Sequence, residues 1–439
     1  MIRKLFLFAL IPLISVCTHK EEMVGQTQIT RWQYGKPGAV SLTYDDGSIN
    51  QFRQALPIMN RLELPATFFI ITGQIPGSQY QGKFIGRPVQ EIIKESAKIP
   101  TNKENFLERA SAAGFLGYQG TIEYHTEAGS LYDAGKVEEA YQVIENLYKK
   151  VRNGDFKPGD KSKSEVNEAK GVSWQDIKSF AAQGHEFASH TVTHPRLAVL
   201  DEVNMLYELE KSKEDIRTQL GPEYTFSAEG PYGTENERVM EYAYKVYPAL
   251  RNRMPEPYLE ELNRGSNIQP GSSGKEYVQW QRGALSKTSL DLMKSWVDTV
   301  AARDNIWLVL VFHGVDGIGW EALPHEILDE YFQYIKKRED KLWVATFADV
   351  TKYMRERMNA NVQAEEKDNK ITVHLTHSLD KAMYTIPLTL KTYVSSNWKI
   401  VKVKQGDTEQ QIQPKEDEKG AYVLYQAFPN TRPVELSEV

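Results

Sequence analysis

A single cysteine, Cys17, stands in this chain of 439 residues, so no disulfide can close within it. Neither sign of charge prevails. Fifty-three Lys and Arg face 59 Asp and Glu, leaving a net charge of −6. That excludes the basic face with which nucleic-acid binders meet phosphates. The pairs Lys149–Lys150 and Lys336–Lys337 sit beside acidic residues and read as solvated helix faces. There is no internal repeat and no low-complexity tract, which sets aside stacked-repeat architectures. The most apolar run, Leu5 to Val16, is too short to span a bilayer as a stable helix. What remains is an ordinary balance of 41% hydrophobic and 26% charged residues, enough to bury a real core. At this length one large domain and one smaller domain are expected.

That apolar run follows Arg3 and Lys4 and ends abruptly at Cys17 and the polar His19, Lys20, Glu21 and Glu22. A charged start, a short apolar stretch and a polar end describe an export signal over about residues 1–22. Leu13-Ile14-Ser15-Val16-Cys17 resembles a bacterial lipobox, which implies lipidation of Cys17 and a place in the cell envelope. Cleavage nearby would instead leave a secreted protein.

Strand, helix and strand follow. Ala39–Tyr44 reads as a short buried strand ending at Asp45-Asp46-Gly47, Gln51–Arg61 as a helix, and Ala66–Ile71 as a second strand. This is the signature of βαβ units and a parallel sheet. From about 73 to 170 the texture is that of a long, mostly helical insertion. The core pattern resumes at Ser173, a plausible N-cap for a helix Trp174–Gln183. A strand His185–Ser189 and a helix Asp201–Leu220 come next. Tyr224–Ser227, Val278–Leu285, Trp307–Phe312 and Leu342–Ala345 read as strands, and Ser289–Ala302, His325–Lys337 and Phe347–Met358 as helices. Beyond about Asn361, apolar residues alternate with polar ones in short runs, which predicts a small antiparallel β-sandwich over 366–439 after an α/β domain over 30–360.

Two stretches carry the candidate chemistry. In His190-Thr191-Val192-Thr193-His194, two imidazoles four residues apart fall on one face of a helical turn and can bind one metal ion. Alone, such a pair also arises by chance. Asp45-Asp46, directly after a strand, should emerge at the carboxyl end of a parallel sheet, where α/β folds place their sites. One carboxylate with two imidazoles makes a three-ligand set with open positions, as a catalytic metal requires. The second carboxylate is left for proton transfer, kept ionised by the adjacent cation. His313 closes the apolar strand Trp307–Phe312 at the same end of the sheet. A core histidine is the commoner fate of such a residue, but its company favours a general acid.

Thr43-Tyr44-Asp45-Asp46-Gly47, the stretch from Gly184 through Ser189-His190-Thr191-Val192-Thr193-His194-Pro195, and Leu308–His313 together resemble the first, second and fifth motifs of the polysaccharide deacetylase family. This is the NodB homology family, carbohydrate esterase family 4. The resemblance covers roughly Ala39–Tyr353, insertion excepted. It implies a distorted (β/α) barrel, usually of seven strands, that hydrolyses acetyl groups from acetylated glycans, on nitrogen or oxygen alike. It also implies a divalent metal, often zinc, on Asp46, His190 and His194, with Asp45 as base and His313 as acid. The third motif, Arg-Pro-Pro-Tyr-Gly in the family, is here Glu229-Gly230-Pro231-Tyr232-Gly233. The Tyr232 N–H is then the oxyanion donor, whereas the arginine that orients the base is replaced by Glu229. Arg282 is the candidate to supply that cation from elsewhere, balanced against an ordinary surface or substrate contact.

Other residues carry less. Trp280 or Trp296 is a candidate for the aromatic part of the fourth motif, Trp296 reading better as core. His185 reads as a local packing residue and Glu186 as a possible support of the site. His125 and Glu127 in the insertion read as surface residues. Asp316 and Trp320 lie on a Gly-rich loop that can line a cleft, where Trp320 would stack on a sugar. In the C-terminal stretch Tyr393, Trp398, Tyr422 and Tyr425 read as packing. Two other functions remain open: a glycan-binding protein that has lost efficient catalysis, suggested by Glu229, and a non-haem iron oxygenase, since two histidines and a carboxylate also suit Fe(II).

Overall fold

The computed structural model describes residues 23–159, 172–233 and 235–439. The expected export signal with Cys17, and the Lys- and Glu-rich stretch near 161–170, lie outside the described residues. The described residues divide into two compact units, one formed within 30–360 with 377–389 and the other by 23–29 with 361–376 and 390–439.

The larger unit is built on a parallel sheet. Its strands are β1 (Gly38–Tyr44), β2 (Ala66–Ile70), β3 (Glu186–Ser189), β4 (Ser227–Ala228), β5 (Ala249–Leu250), β6 (Leu259–Leu262), β7 (Tyr277–Gly283), β8 (Ile306–Phe312) and β9 (Leu342–Val344). They are ordered β5-β4-β3-β2-β1-β8-β7-β6, with β9 beside the first half of β1. This is a curled, open barrel, its ring unpaired between β5 and β6. Every residue of β1 and β8 is buried, as expected of central strands covered on both faces. Alternation then sorts the side chains. Val40, Leu42 and Tyr44 join the apolar cluster under the helices. Ser41, Thr43 and Asp45 are turned to the barrel interior, where the buried polar residues gather.

The helices are α1 (Leu56–Arg61, entered through a π-helical turn at Gln51–Ala55), α2 (Val89–Ser96), α3 (Phe106–Ala112), α4 (Ile122–Asp133), α5 (Val137–Asn153), α6 (Trp174–Ala181), α7 (Glu202–Gln219), α8 (Glu237–Val246), α9 (Leu290–Ala301), α10 (His325–Lys336) and α11 (Phe347–Asn359). Helices α1, α6, α9 and α10 contribute Met59, Ile177, Val297 and Phe332 to the main core. The insertion helices α2–α5 form a core of their own around Ile92, Phe106, Ile144 and Leu147. Ser173 does cap α6, its hydroxyl accepting from the Asp176 N–H in a reciprocal capping box.

Several expectations shift. The strand expected at Tyr224–Ser227 is the pair Ser227–Ala228, because Pro222–Tyr224 forms a helical turn. That expected at Val278–Leu285 is Tyr277–Gly283. Helix α8 and strands β5 and β6 were not anticipated, and β5 has only two residues.

The register between neighbours matters most. Tyr44 pairs with Phe312, Ile70 with Ser189, Ser189 with Ala228 and Ala228 with Leu250. The next residues, Asp45, His313, His190, Glu229 and Arg251, therefore leave their strands together at one rim.

The smaller unit is antiparallel. One of its sheets has five strands, ordered Ala360–Lys367, Lys370–His377, Val434–Glu438, Val401–Gln405, Thr408–Ile412. Ile371, Val373 and Leu375 alternate inward with Val401, Val403 and Leu436. Trp398 and Tyr425 are buried here as packing residues.

Candidate metal centre and catalytic residues

The rim brings Asp46, His190 and His194 to one point. The nearest Asp46 oxygen, Oδ1, lies 3.5 Å from His190 Nε2 and 3.3 Å from His194 Nε2, and the three ligand atoms lie within 4.8 Å of one another. Those separations are long for hydrogen bonds. They match the edge, about 3.4 Å, of a tetrahedron with ligand arms of ~2.1 Å around a divalent ion. The donor set therefore fits a metal. His190 Nδ1 lies 3.0 Å from the Glu229 carbonyl, and donation there turns Nε2 toward the site, as metal-bound histidines are commonly held. Burial, reinforced by His190, pushes the His194 imidazole down to about 3, so it stands neutral and able to ligate.

The histidines do not share a helical turn as expected. Residues 190–194 form a loop in which Thr191 and His194 both have positive φ, at 67° and 63°. The loop is pinned by Glu208 of α7, whose Oε2 accepts the Val192 and Thr193 N–H groups at 2.9 and 2.8 Å, while its Oε1 takes the Thr193 hydroxyl at 2.7 Å. Asp46 (φ 74°) and Tyr232 (φ 61°) are left-handed as well. Four non-glycine residues in so rare a conformation, gathered at one site, mark backbone strain held in place by the surrounding fold.

Asp45 is 2% exposed and points the other way from Asp46 in its bonding. Arg251 grips it with both arms of its guanidinium, Nη1 to Oδ1 at 2.6 Å and Nη2 to Oδ2 at 2.7 Å. Arg251 also donates to Thr43 Oγ1 at 2.9 Å and pairs with Glu229 Oε1 at 2.9 Å. Burial alone would raise the Asp45 pKa, but Arg251, then His313, hold the carboxyl well below the usual range. His313 Nε2 sits 3.4 Å from Asp45 Oδ2. Burial lowers the His313 pKa against the opposing pull of Asp45 and Asp46.

Arg282 is not the replacement cation. On β7 the inward positions are Gln279 and Gln281, whose amides both donate to the Arg251 carbonyl at 2.8 and 2.9 Å. The intervening parity sends Val278, Trp280 and Arg282 outward, where Trp280 joins the core and the Arg282 guanidinium lies over its ring at 4.6 Å. Arg251, missed in the sequence, takes the place at Asp45. Glu229 is likewise drawn in: its Oε1 accepts from Asn252 at 2.6 Å and from Arg251.

Asp45, Asp46, His190, His194, Glu229 and His313 line a cleft of about 900 Å³ that also includes Arg196, Tyr232, Arg264, Gly283, Leu285 and Trp320. Tyr232 packs its ring 4.7 Å from that of His194, with the Arg196 guanidinium 4.1 Å above it. Trp320, 55% exposed, sets its ring against His313 at 4.6 Å.

The weaker candidates fall elsewhere. His125 is buried rather than superficial, its Nδ1 3.0 Å from the Ala110 carbonyl and its Nε2 accepting the Arg196 N–H, while Glu127 is exposed. His185 packs locally, accepting the Ala66 N–H. Glu186 is buried at the start of β3 and accepts from Thr67 and the Ala348 N–H, away from the rim. Asp316 accepts the His325 N–H at the start of α10. Trp296 is core.

The family model of polysaccharide deacetylases matches residues 33–102 and 131–247, and this part of the chain is similar to that family. The match stops four residues short of Arg251. A gellan lyase from Bacillus sp. is 25% identical over 282 residues, 59% of this chain but 11% of that protein; the chain thus spans about a tenth of the length of this relative. Among solved structures, a family 4 carbohydrate esterase from Streptomyces lividans is 13% identical, with a TM-score of 0.34 over 72% of this chain and 95% of that one. The Xyl-CE4 domain of a multidomain xylanase from the hindgut metagenome of Trinervitermes trinervoides is 14% identical, with a TM-score of 0.33 over 71% and 89%.

Proposed function

We propose that this protein is a metal-dependent deacetylase that hydrolyses acetyl groups, on nitrogen or oxygen, from a carbohydrate. The observation that carries it is the split of two neighbouring carboxylates: Asp46 joins two neutralisable imidazoles in a metal-sized cluster, while Asp45 is held out of that cluster by Arg251. A structural metal site has no use for the second carboxylate.

Asp46, His190 and His194 would hold a divalent ion, for which we assign zinc, and the bound ion would supply Lewis acidity toward the acetyl carbonyl and lower the pKa of water. Asp45 accepts the proton of the attacking water; Arg251 keeps it ionised and fixed in direction, so its strength as a base is modest and depends on that activated water. His313 delivers a proton to the leaving amine or alcohol from beside Asp45. The Tyr232 N–H faces the negative charge that gathers on the carbonyl oxygen. Trp320 offers a flat apolar face for the sugar ring.

Arg251 also weakens the alternative of a catalytically disabled glycan binder, which rested on Glu229 replacing an arginine. We further propose that the chain is exported and anchored through lipid on Cys17. The test is acetate release by the metal-loaded protein, lacking residues 1–22, from a panel of N- and O-acetylated glycans. Release from one glycan class supports the reading, and metal binding without release from any of them overturns it.

A further inference from the structure

We propose that Arg264 recognises an anionic group on the glycan, a carboxylate of the uronic acid type, close to the acetylated sugar; this rests on the deacetylase reading of the same cleft. Three guanidinium groups surround the site. Both terminal nitrogens of Arg251 are taken by Asp45, Glu229 and Thr43. Arg196 pairs with Asp133 at 3.0 Å and covers the Tyr232 ring. Arg264, half-buried and lining the cleft, has neither an ion pair nor a hydrogen bond among the described residues.

Its placement suits capture of a ligand. Arg264 follows β6, the last strand of the open sheet. Its stem runs past Gly283, where an added Cβ would lie 3.6 Å from Arg264 Cδ. Its Nη2 reaches the Tyr232 loop, 3.9 Å from where a Cβ on Gly233 would sit. The arm therefore spans the gap between the end of β7 and the oxyanion loop, along the open side of the ring. A guanidinium partly stripped of water without a hydrogen-bonded counter-charge is unfavourable. A ligand carboxylate would relieve that through two parallel N–H···O bonds, which the planar fork of arginine is shaped to make. The buried acids of the site, Asp45 and Glu229, are bonded to Arg251, and Glu229 attracts Arg264 only from beyond ion-pair distance.

The experiment uses the metal-loaded protein and three matched substrates: an acetylated oligosaccharide carrying a glucuronate residue, its carboxyl-reduced neutral counterpart, and a sulfated counterpart. We expect kcat/KM to favour the glucuronate form over the neutral one by about tenfold or more. That ratio should collapse toward one in Arg264→Met, recover in part in Arg264→Lys, and shrink with added salt. A ratio near one in the parent protein, or one that Arg264→Met leaves unchanged, overturns the proposal. Equal preference for the sulfated form overturns the carboxylate assignment in favour of anionic oxygen groups at large. If the parent releases no acetate from any substrate, the deacetylase reading has failed on its own. Equilibrium binding of the glucuronate oligosaccharide without acetyl groups then decides: binding abolished by Arg264→Met supports Arg264 as the anion site, and absent or unaltered binding overturns it.

Discussion

Arg251 holds both carboxylate oxygens of Asp45 although the two residues are 206 positions apart in the chain. The pair exists because Leu250 and Tyr44 end their strands at one rim. Removing the guanidinium leaves Asp45 and Glu229 buried together without a counter-charge. Arg251→Met should therefore lower kcat/KM by on the order of a hundredfold or more and cost about 3–5 kcal/mol of stability. Any residual activity should show its acid limb at higher pH, because Asp45 loses the group that lowers its pKa. Arg282→Met, on the outer face of β7, should leave both rate and metal content close to the parent. Steady-state kinetics across pH, urea unfolding and elemental analysis for metal check these statements.

The two adjacent aspartates should separate cleanly by experiment. Asp46→Ala and His190→Ala should abolish metal binding, read by elemental analysis of the dialysed protein. Asp45→Asn should keep the metal and lose about 10²–10⁴-fold in rate. Near-normal turnover by Asp45→Asn would remove it as the base.

Glu208 touches neither metal nor cleft wall through its carboxylate, yet it takes two backbone N–H groups and a hydroxyl from the loop between the two histidines. Glu208→Leu should weaken metal affinity by about 10–100-fold, measured by chelator competition, while Glu208→Gln should retain part of it. Equal affinity in the parent and Glu208→Leu would mean that the loop holds its left-handed residues unaided.

At the opposite end of β3, His185 is fixed as one tautomer. Its Nδ1 accepts the Ala66 N–H at 3.1 Å, so the Nε2 proton faces Asn60 Oδ1 at 2.8 Å. Burial pushes its pKa down to about 4. The unfolded chain, with a value near 6.5, takes up the proton first. Stability from this group is thus complete above about pH 6.5, falls as pH drops toward 4, and changes no further below that. His185→Gln should flatten that segment, seen by comparing urea midpoints near pH 7 and near pH 5.

How much of this was legible beforehand depends on strand length and backbone hand. Strand β8 announces itself as an unbroken apolar run and β1 as one broken only by Ser41 and Thr43, and the residues that follow them, Asp45, Asp46 and His313, could be placed at one rim. Strand β5 is Ala249–Leu250 alone, too short to leave a pattern, so Arg251 stayed hidden. One signal was available: an acid, Glu229, standing next to a site already rich in carboxylates calls for a buried cation nearby. Arg282 was misplaced for a simpler reason. Its strand was recognised, but parity with the inward Gln279 and Gln281 sends it to the helices. The spacing of His190 and His194 suggests a helical turn, and only the left-handed Thr191 and His194 reveal a loop. His125 looked superficial because its burial depends on α4 packing against the Arg196 segment, which no local pattern records.

The pairing of Glu229 with Arg251 also ties the two positions together under substitution. Writing Arg at position 229 while Arg251 remains would force two cations into one dry cavity; writing Glu at 251 while Glu229 remains would crowd three acids there. Either single step is a deep valley, whereas the reciprocal pair Glu229→Arg with Arg251→Glu restores the balance.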